Sequence, residues 1–342
     1  MIRTKTTLVI GRGASAEIEI PTGSELLGKI AQGFDFGRMG TDLQTDEMVR
    51  LAELFGQLAG RLDTTREKLI EAGQTIRIAS RVSGTIEDIL DQHSHDPLVV
   101  AAGKLAIAFY TLQAEARSPL GLEPRDPGDL PLRGNENWLF QVSRLILGGV
   151  PRDRLDESFE NLSVISFCYD RALQHYLPWA MHMAYDMSLG EARRLVAEKL
   201  KIIYPLGSAG RLPWQPGKLP EADWGAEEAS NLETLLNAFQ LPSERERDTA
   251  FAESLHSAMA QAERLVLLGF NFDPSSTSLL LQAPLGHDPD ILVAMQGTAD
   301  TERAAVARLL KRNAGISDPA LITIRDVFPF QLLRDEALYL AS

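Results

Sequence analysis

Cysteine is almost absent from this sequence. Cys168 is the single cysteine among 342 residues, so one chain can form neither an internal disulfide nor a zinc site with four cysteine ligands. Sparse cysteine is typical of proteins in a reducing compartment. The start of the chain also lacks a charged-then-apolar leader. Together these two absences predict a cytoplasmic location.

Basic clusters and long apolar runs are missing as well. Lys and Arg number 34 against 47 Asp and Glu, which gives a formal net charge of −13. Because contacts to nucleic-acid phosphates need clustered cations, this balance argues against direct nucleic-acid binding. The longest apolar segment, 98–114, is interrupted by Lys104 and is shorter than the ~20 residues that span a bilayer. We therefore predict no membrane span.

Several motifs of known chemistry are also absent. The sequence has no Gly-Lys-Ser/Thr phosphate loop, no Ser-His-Asp arrangement and no His-Glu-x-x-His zinc motif. His93 and His95 lie beside Asp91 and Asp96, but metal ligation needs a third convergent group. A solvated helix end explains these residues without a metal, and we predict no metal site.

What the sequence does contain is an alternation of apolar, β-branched runs with helical patterns. The apolar runs cover residues 7–10, 163–168, 201–204, 265–269, 291–295 and 321–325. Helical periodicity fills most of the gaps between them. This alternation predicts an α/β fold, a Rossmann-like parallel sheet with helices on both faces. In such sheets, ligands bind at the carboxyl ends of the strands.

The longest gap between predicted strands holds only helical patterns. Amphipathic helices are predicted over 46–62, 65–71, 85–91, 97–116 and 137–147. We therefore predict a Rossmann-like core over residues 1–34 and 160–342, with a large helical insertion over 35–159. Residues 118–135 are rich in Pro and Gly and are predicted to form an exposed loop.

The first predicted strand runs directly into a glycine loop, Gly11–Ser15, and then into a helix. Glycines let a backbone approach a pyrophosphate, and the start of a helix offers unpaired N–H groups. The alternative is that the glycines only pack the turn closely against a neighbour. Thr22 and Glu25 have the spacing of a capping box and predict where the helix begins.

Polar residues follow three other predicted strands. Asp170 and Arg171 would face a ligand or form a salt bridge at a helix start. Gly207-Ser208 would contact a ribose or phosphate, or form a simple turn. Asn271 and Asp273 would bond ribose hydroxyls, or act as turn residues. His175, one turn after Arg171, is either a base near this pocket or a partly buried structural histidine.

Taken in order, these segments resemble the bacterial sirtuin-like NAD-binding domains that lie outside the protein deacylases. Gly11–Ser15 with Pro21-Thr22-Gly23 is similar to that family's Gly-Ala-Gly-Ala-Ser…Pro-Thr-Gly opening. Residues 166–171, Ser-Phe-Cys-Tyr-Asp-Arg, resemble its Phe-Asn-Tyr-Asp-Arg signature. Segments 85–90 and 103–107 resemble landmarks of its helical insert, and Gly207-Ser208 and 269–273 resemble its later ribose-side loops.

The resemblance implies an NAD pocket between the sheet and the helical insertion. Many members of that family cleave the nicotinamide–ribose bond in bacterial defence against phage, so the resemblance also implies this activity. That chemistry needs a group to position water or sugar and a base to take a hydroxyl proton. The catalytic candidates are Asp170, His175 and Cys168. The predicted ligand contacts are Gly11, Arg12, Gly13, Ala14, Ser15, Pro21, Thr22, Asp170, Arg171, Gly207, Ser208, Gly269, Asn271 and Asp273.

This chain departs from the family pattern at four positions. Cys168 replaces the signature Asn, and a thiol is a poor hydrogen-bond partner for water. Leu206 replaces the expected catalytic His and cannot accept a proton. Arg12 replaces a loop alanine, where it either pairs with a phosphate or fills the pyrophosphate space. Glu19 stands where a glycine is usual.

Three hypotheses follow. The chain is an NAD-cleaving enzyme in which Asp170 and His175 act for the missing pair. Alternatively, it is an inactive sensor that binds NAD, ADP-ribose or a related nucleotide. The third hypothesis is a structural subunit, in a homo-oligomer or with a partner protein of a defence system. Deacylation ranks last, because the zinc ribbon of deacylase sirtuins needs four cysteines and this chain has one.

Overall fold

A computed structural model describes residues 1–121, 136–226 and 232–342. It contains a six-stranded sheet, and each strand lies within or beside one of the predicted apolar runs. The strands are buried on both faces near the centre of the sheet, which explains why their sequences read as continuous apolar runs. They are β1 Thr6–Ile10, β2 Leu162–Ser166, β3 Lys201–Ile203, β4 Arg264–Leu268, β5 Asp290–Ala294 and β6 Ile322–Arg325.

All neighbouring strands of the sheet are parallel, and their order is β3-β2-β1-β4-β5-β6. This is the strand order of the Rossmann fold, so the predicted fold class is confirmed. In the register, Leu8 lies between Val164 on β2 and Val266 on β4. The chain crosses from one side of β1 to the other between β3 and β4. The switch point of the topology therefore lies between β1 and β4.

Helices account for most of the remaining described chain. They are α1 Arg12–Ser15, α2 Gly23–Gly33, α3 Asp46–Arg61, α4 Arg66–Ala79, α5 Ile86–Gln92, α6 Pro97–Arg117, α7 Trp138–Leu147, α8 Ala172–Tyr185, α9 Leu189–Lys199, α10 Leu232–Leu235, α11 Pro242–Glu246, α12 Thr249–Ala260, α13 Pro274–Leu280, α14 Asp300–Ala314, α15 Pro329–Asp335 and α16 Ala337–Leu340.

Alternate residues of the strands point to two separate apolar cores, one on each face of the sheet. Val9 and Leu267 belong to the core that includes α2 to α6. Leu8 and Leu268 belong to the core that includes α7, α8 and α15. Helices therefore cover both faces, as predicted.

Local capping signals explain where the predicted helices between β1 and β2 begin. A side-chain oxygen caps the start of α3, α4, α5, α6 and α7 by accepting a backbone N–H bond. Helices α3 to α6 pack together on one face of the sheet. Helix α7 lies on the other face against α8 and α15. The stretch 35–159 thus contributes helices to both layers.

Two sequence expectations need correction around helix α6. The helix continues to Arg117 and has the length and composition of a membrane span, but 72% of its apolar window is buried inside the protein, as in a core helix. Ser118 and Leu120 are also buried rather than part of an exposed loop. The rest of that predicted loop, 122–135, lies outside the described residues.

Candidate functional site

The loops after β1 and β4 approach each other so closely that only glycine fits between them. A Cβ at Gly11 would lie 2.4 Å from the Gly269 carbonyl oxygen, and one at Gly13 would lie 2.8 Å from it. Gly269 itself has φ +60° and would clash with the backbone of Ala14. The Gly13 N–H donates to the Gly269 carbonyl at 3.0 Å. Close packing therefore accounts for the glycines of this loop.

A cavity of about 340 Å³ opens beside this contact. It lies at the carboxyl ends of β1, β4 and β5, where the topology switches direction. Asn271 contributes an amide to it, and Glu17 and Glu302 contribute carboxylates. Its described lining residues are Gly13, Ala16, Glu17, Thr22, Gly269, Phe270, Asn271, Met295, Gln296, Thr298, Glu302, Phe328 and Pro329.

Glu17 fixes one wall of this cavity. Its carboxylate accepts the backbone N–H of Trp138 at 2.6 Å and that of Phe330 at 3.0 Å. These N–H groups belong to the first turns of α7 and α15, where donors lack partners within the helix. Burial raises the pKa of the Glu17 carboxyl to about 7, although both hydrogen bonds act in the opposite direction.

On the other side of the glycine loop, Arg12 closes the space above β1 and β2. Its guanidinium pairs with Glu87 of α5 at 2.7 Å and lies 5.0 Å from the centre of the Tyr169 ring. The Tyr169 hydroxyl donates to the same carboxylate oxygen. Burial and the Glu87 carboxylate raise the pKa of Tyr169, so its hydroxyl keeps its proton. The Arg12 side chain is thus held between Glu87 and Tyr169 inside the protein.

Three of the predicted site residues form a buried cluster beneath the loop. The Ser15 hydroxyl lies 2.7 Å from Asp170 Oδ2 and 3.2 Å from Cys168 Sγ. The other Asp170 oxygen accepts the Ala172 N–H at 3.1 Å. Burial raises the pKa of Asp170 to about 6 and that of Cys168 to about 12. Neither residue lines the cavity.

Arg171 is committed to a partner inside the protein. It forms a bidentate ion pair with Glu115 of α6, and both side chains are at most 1% exposed. Its remaining donors bond the carbonyl oxygens of Ala222 and Asp223 at 2.6 and 3.0 Å. The structure thus shows the salt bridge that the sequence offered as the alternative to a ligand contact.

The other predicted contacts are scattered. His175 stacks on Trp224 with ring centres 4.3 Å apart, and burial lowers its pKa to about 4. Ser208 lines a separate cavity of about 230 Å³. Its neighbour Gly207 has φ +83°. Leu206 is buried in the apolar core. None of these residues is among those that line the cavity at the switch point.

Helix caps account for two more of the candidates, Thr22 and Asp273. Thr22 and Glu25 form the predicted capping box of α2, and Thr22 also lines the cavity. Asp273 caps α13 by accepting the Ser276 N–H at 2.8 Å. Pro21, next to Thr22, is partly buried. Of all predicted contacts, the structure brings Gly13, Thr22, Gly269 and Asn271 together around the cavity.

Sequence reasoning missed several residues around this site. Gln296 and Thr298 follow β5, so the rule that ligands bind at strand ends would have found them. Glu17, Glu87 and Glu302 carry no such signal, since acidic residues near helix starts are common.

The described residues contain no group of three or more His, Cys, Asp or Glu side chains arranged to hold a metal ion. Comparisons with protein-family models, with curated proteins and with solved structures found no match to this chain. Function must therefore be inferred from the site itself.

Proposed function

We propose that this protein binds the nucleoside part of NAD or of an ADP-ribose-type nucleotide in the cavity between the loops after β1 and β4. The observation that carries the proposal is the position of the cavity. Open parallel sheets bind their ligands at the carboxyl ends of the strands where the topology switches. In this chain a concave, lined cavity lies at that point.

The lining of the cavity suits a nucleoside. Phe328 supplies exposed aromatic surface, and Asn271 and Gln296 supply amides that can fix a base or a sugar. The carboxyl groups of Glu17 and Glu302 can accept hydrogen bonds from ribose hydroxyls. The volume of about 340 Å³ lies near the lower end of the ~300–1,000 Å³ range of ligand sites, so it favours a small part of a nucleotide over a whole dinucleotide.

We propose binding without cleavage. The catalytic candidates lack access: Asp170 and Cys168 are buried beneath the loop, and His175 stacks on Trp224. Leu206 cannot act as a base where the sirtuin-like pattern has histidine. The resemblance to sirtuin-like domains supports the ligand class and a role as a sensor within a bacterial defence system. In that role the ligand-bound protein would act through a partner protein or a second copy.

Calorimetric titration tests this proposal directly. Adenosine and ADP-ribose should each bind the wild-type protein, and Asn271→Ala should weaken both. Asn237→Ala, at an exposed position away from the cavity, is the matched control and should bind as the wild type does. When the protein is incubated with NAD, chromatography should detect no released nicotinamide. Absence of binding at millimolar ligand, or an Asn271→Ala variant that binds normally, would refute the proposal.

A further inference from the structure

The crevice along the carboxyl edge of the sheet has two halves that meet at the glycine loop. The open half is the cavity above β1, β4 and β5. The other half lies above β1 and β2, and Arg12 fills it with Glu87 and Tyr169. The halves share a wall, because Phe270 of the cavity packs edge-on against Phe167 at 5.1 Å. Arg12 Nε in turn donates to the Phe167 carbonyl at 3.5 Å.

The ion pair in the closed half is shielded from solvent but incompletely satisfied. The side chains of Arg12 and Glu87 are 14% and 4% exposed. Glu87 Oε1 accepts hydrogen bonds from both the Arg12 guanidinium and the Tyr169 hydroxyl, whereas the buried Oε2 atom has no hydrogen-bond partner. A buried acceptor left unpaired is costly, so the Arg12–Glu87 contact is weaker than a fully bonded pair.

Charge separates the two halves as well. The described lining of the open half includes no Lys or Arg that could pair with a phosphate. Arg12 lies two residues after the end of β1 and precedes Gly13, which lines the cavity. A guanidinium binds phosphate in the same bidentate manner in which it binds carboxylate. A pyrophosphate attached to a nucleoside in the open half would therefore compete with Glu87 for Arg12.

We propose that the Arg12–Glu87 pair determines which nucleotides the crevice accepts, with Glu87 competing against the ligand pyrophosphate for the Arg12 guanidinium. The inference rests on the proposed function. A nucleoside occupies the open half and leaves the pair intact. A dinucleotide or ADP-ribose must draw Arg12 away from Glu87, so its affinity is lowered by the strength of that contact.

The test compares adenosine with ADP-ribose in variants of the pair. Glu87→Gln keeps the size of the side chain and an acceptor for Tyr169 but removes the charge that holds Arg12. It should bind ADP-ribose about tenfold more tightly, a difference of ~1.4 kcal/mol, with adenosine affinity unchanged. Asp88→Asn is the matched control, because it removes a neighbouring charge from the same helix. The Asp88 carboxylate accepts a hydrogen bond from the Ser275 hydroxyl at 3.1 Å and does not pair with Arg12.

A second variant tests the inference independently in case Glu87→Gln misfolds, which a thermal melt would detect. Arg12→Lys keeps the positive charge but loses the planar fork, so ADP-ribose should bind several-fold more weakly while adenosine is unaffected. If Arg12→Lys changes the affinities for both ligands equally, or leaves the affinity for ADP-ribose unchanged, the inference is overturned.

The remaining outcomes separate the two proposals. If Glu87→Gln does not tighten ADP-ribose binding, or if Asp88→Asn gives the same gain, the competition is refuted while nucleoside binding stands. If neither adenosine nor ADP-ribose binds any folded form of the protein, the proposed function fails and the inference fails with it.

Discussion

Replacing Arg171 with leucine removes the cation from the most buried ion pair of the described chain. Glu115 would then remain inside the protein without its counter-ion, which costs ~3–5 kcal/mol. The buried carbonyl of Ala222 would also lose its donor at 2.6 Å, which brings the total loss to about 4–6 kcal/mol. The free energy of unfolding of a whole protein is only ~5–15 kcal/mol, so this loss is large.

Urea denaturation followed by tryptophan fluorescence measures this loss. With a slope of ~3 kcal/mol per molar urea, the midpoint should fall by about 1.3–2 M. Arg50→Leu is the control, because its pair with Glu53 at 3.1 Å is solvent-exposed and such pairs contribute ~0–1 kcal/mol. Equal midpoints for the two variants would refute the assignment of Arg171 to a buried structural pair.

The same variant tests where Arg171 acts. Because its guanidinium bonds Glu115 and backbone carbonyls, folded Arg171→Leu protein should keep the ADP-ribose affinity of the wild type. Loss of binding with stability retained would instead place Arg171 at the ligand.

Three further predictions concern the loop and the cluster beneath it. Gly269→Ala should lower the melting temperature and abolish ligand binding, because its Cβ would lie 2.2 Å from the Ala14 nitrogen. Gly286→Ala, with φ +78° but open space, should cost only the ~1–2 kcal/mol of a left-handed conformation. Asp170, with a pKa raised to about 6, stabilises the fold below pH 4, and this contribution is lost as pH rises through 6. In the wild type, the free energy of unfolding should therefore fall by up to ~3 kcal/mol between pH 4 and pH 6 because of this group. Asp170→Asn should remove that part of the pH dependence, which denaturation at a series of pH values measures. Cys168, buried with a pKa raised to about 12, should react with a thiol reagent only after unfolding.

The sheet was predictable from sequence because its signals are local. A strand that is buried on both faces, such as β1 or β4, requires a short run of apolar residues. Each of the six predicted runs overlaps one strand of the sheet. The helix starts were equally local, since Thr45, Thr65 and Thr85 each accept an N–H only three residues away.

The partners of the charged residues were not predictable, because they are distant in sequence. Arg171 pairs with a residue 56 positions away, and Arg12 with one 75 positions away. Nothing in the pattern around Glu87 marks it as the partner of Arg12, since acids are favoured in the first turn of any helix. Glu115 offers a weak signal, because it is one of only two charged residues in the mostly apolar stretch 97–116. Such a charge requires a partner once the helix is buried.

The glycines at the start of the chain illustrate how packing and function can share one cause. Gly11 and Gly13 are required because the loop after β4 touches them, and this alone explains their presence without any ligand. Yet the same contact brings the backbone of Gly13 to the wall of the cavity beside Asn271. A loop held further from β4 by a side chain would separate these two groups. Close packing of the two loops is therefore the means by which this sheet builds the cavity, and the proposed binding depends on where the cavity lies rather than on the glycine pattern.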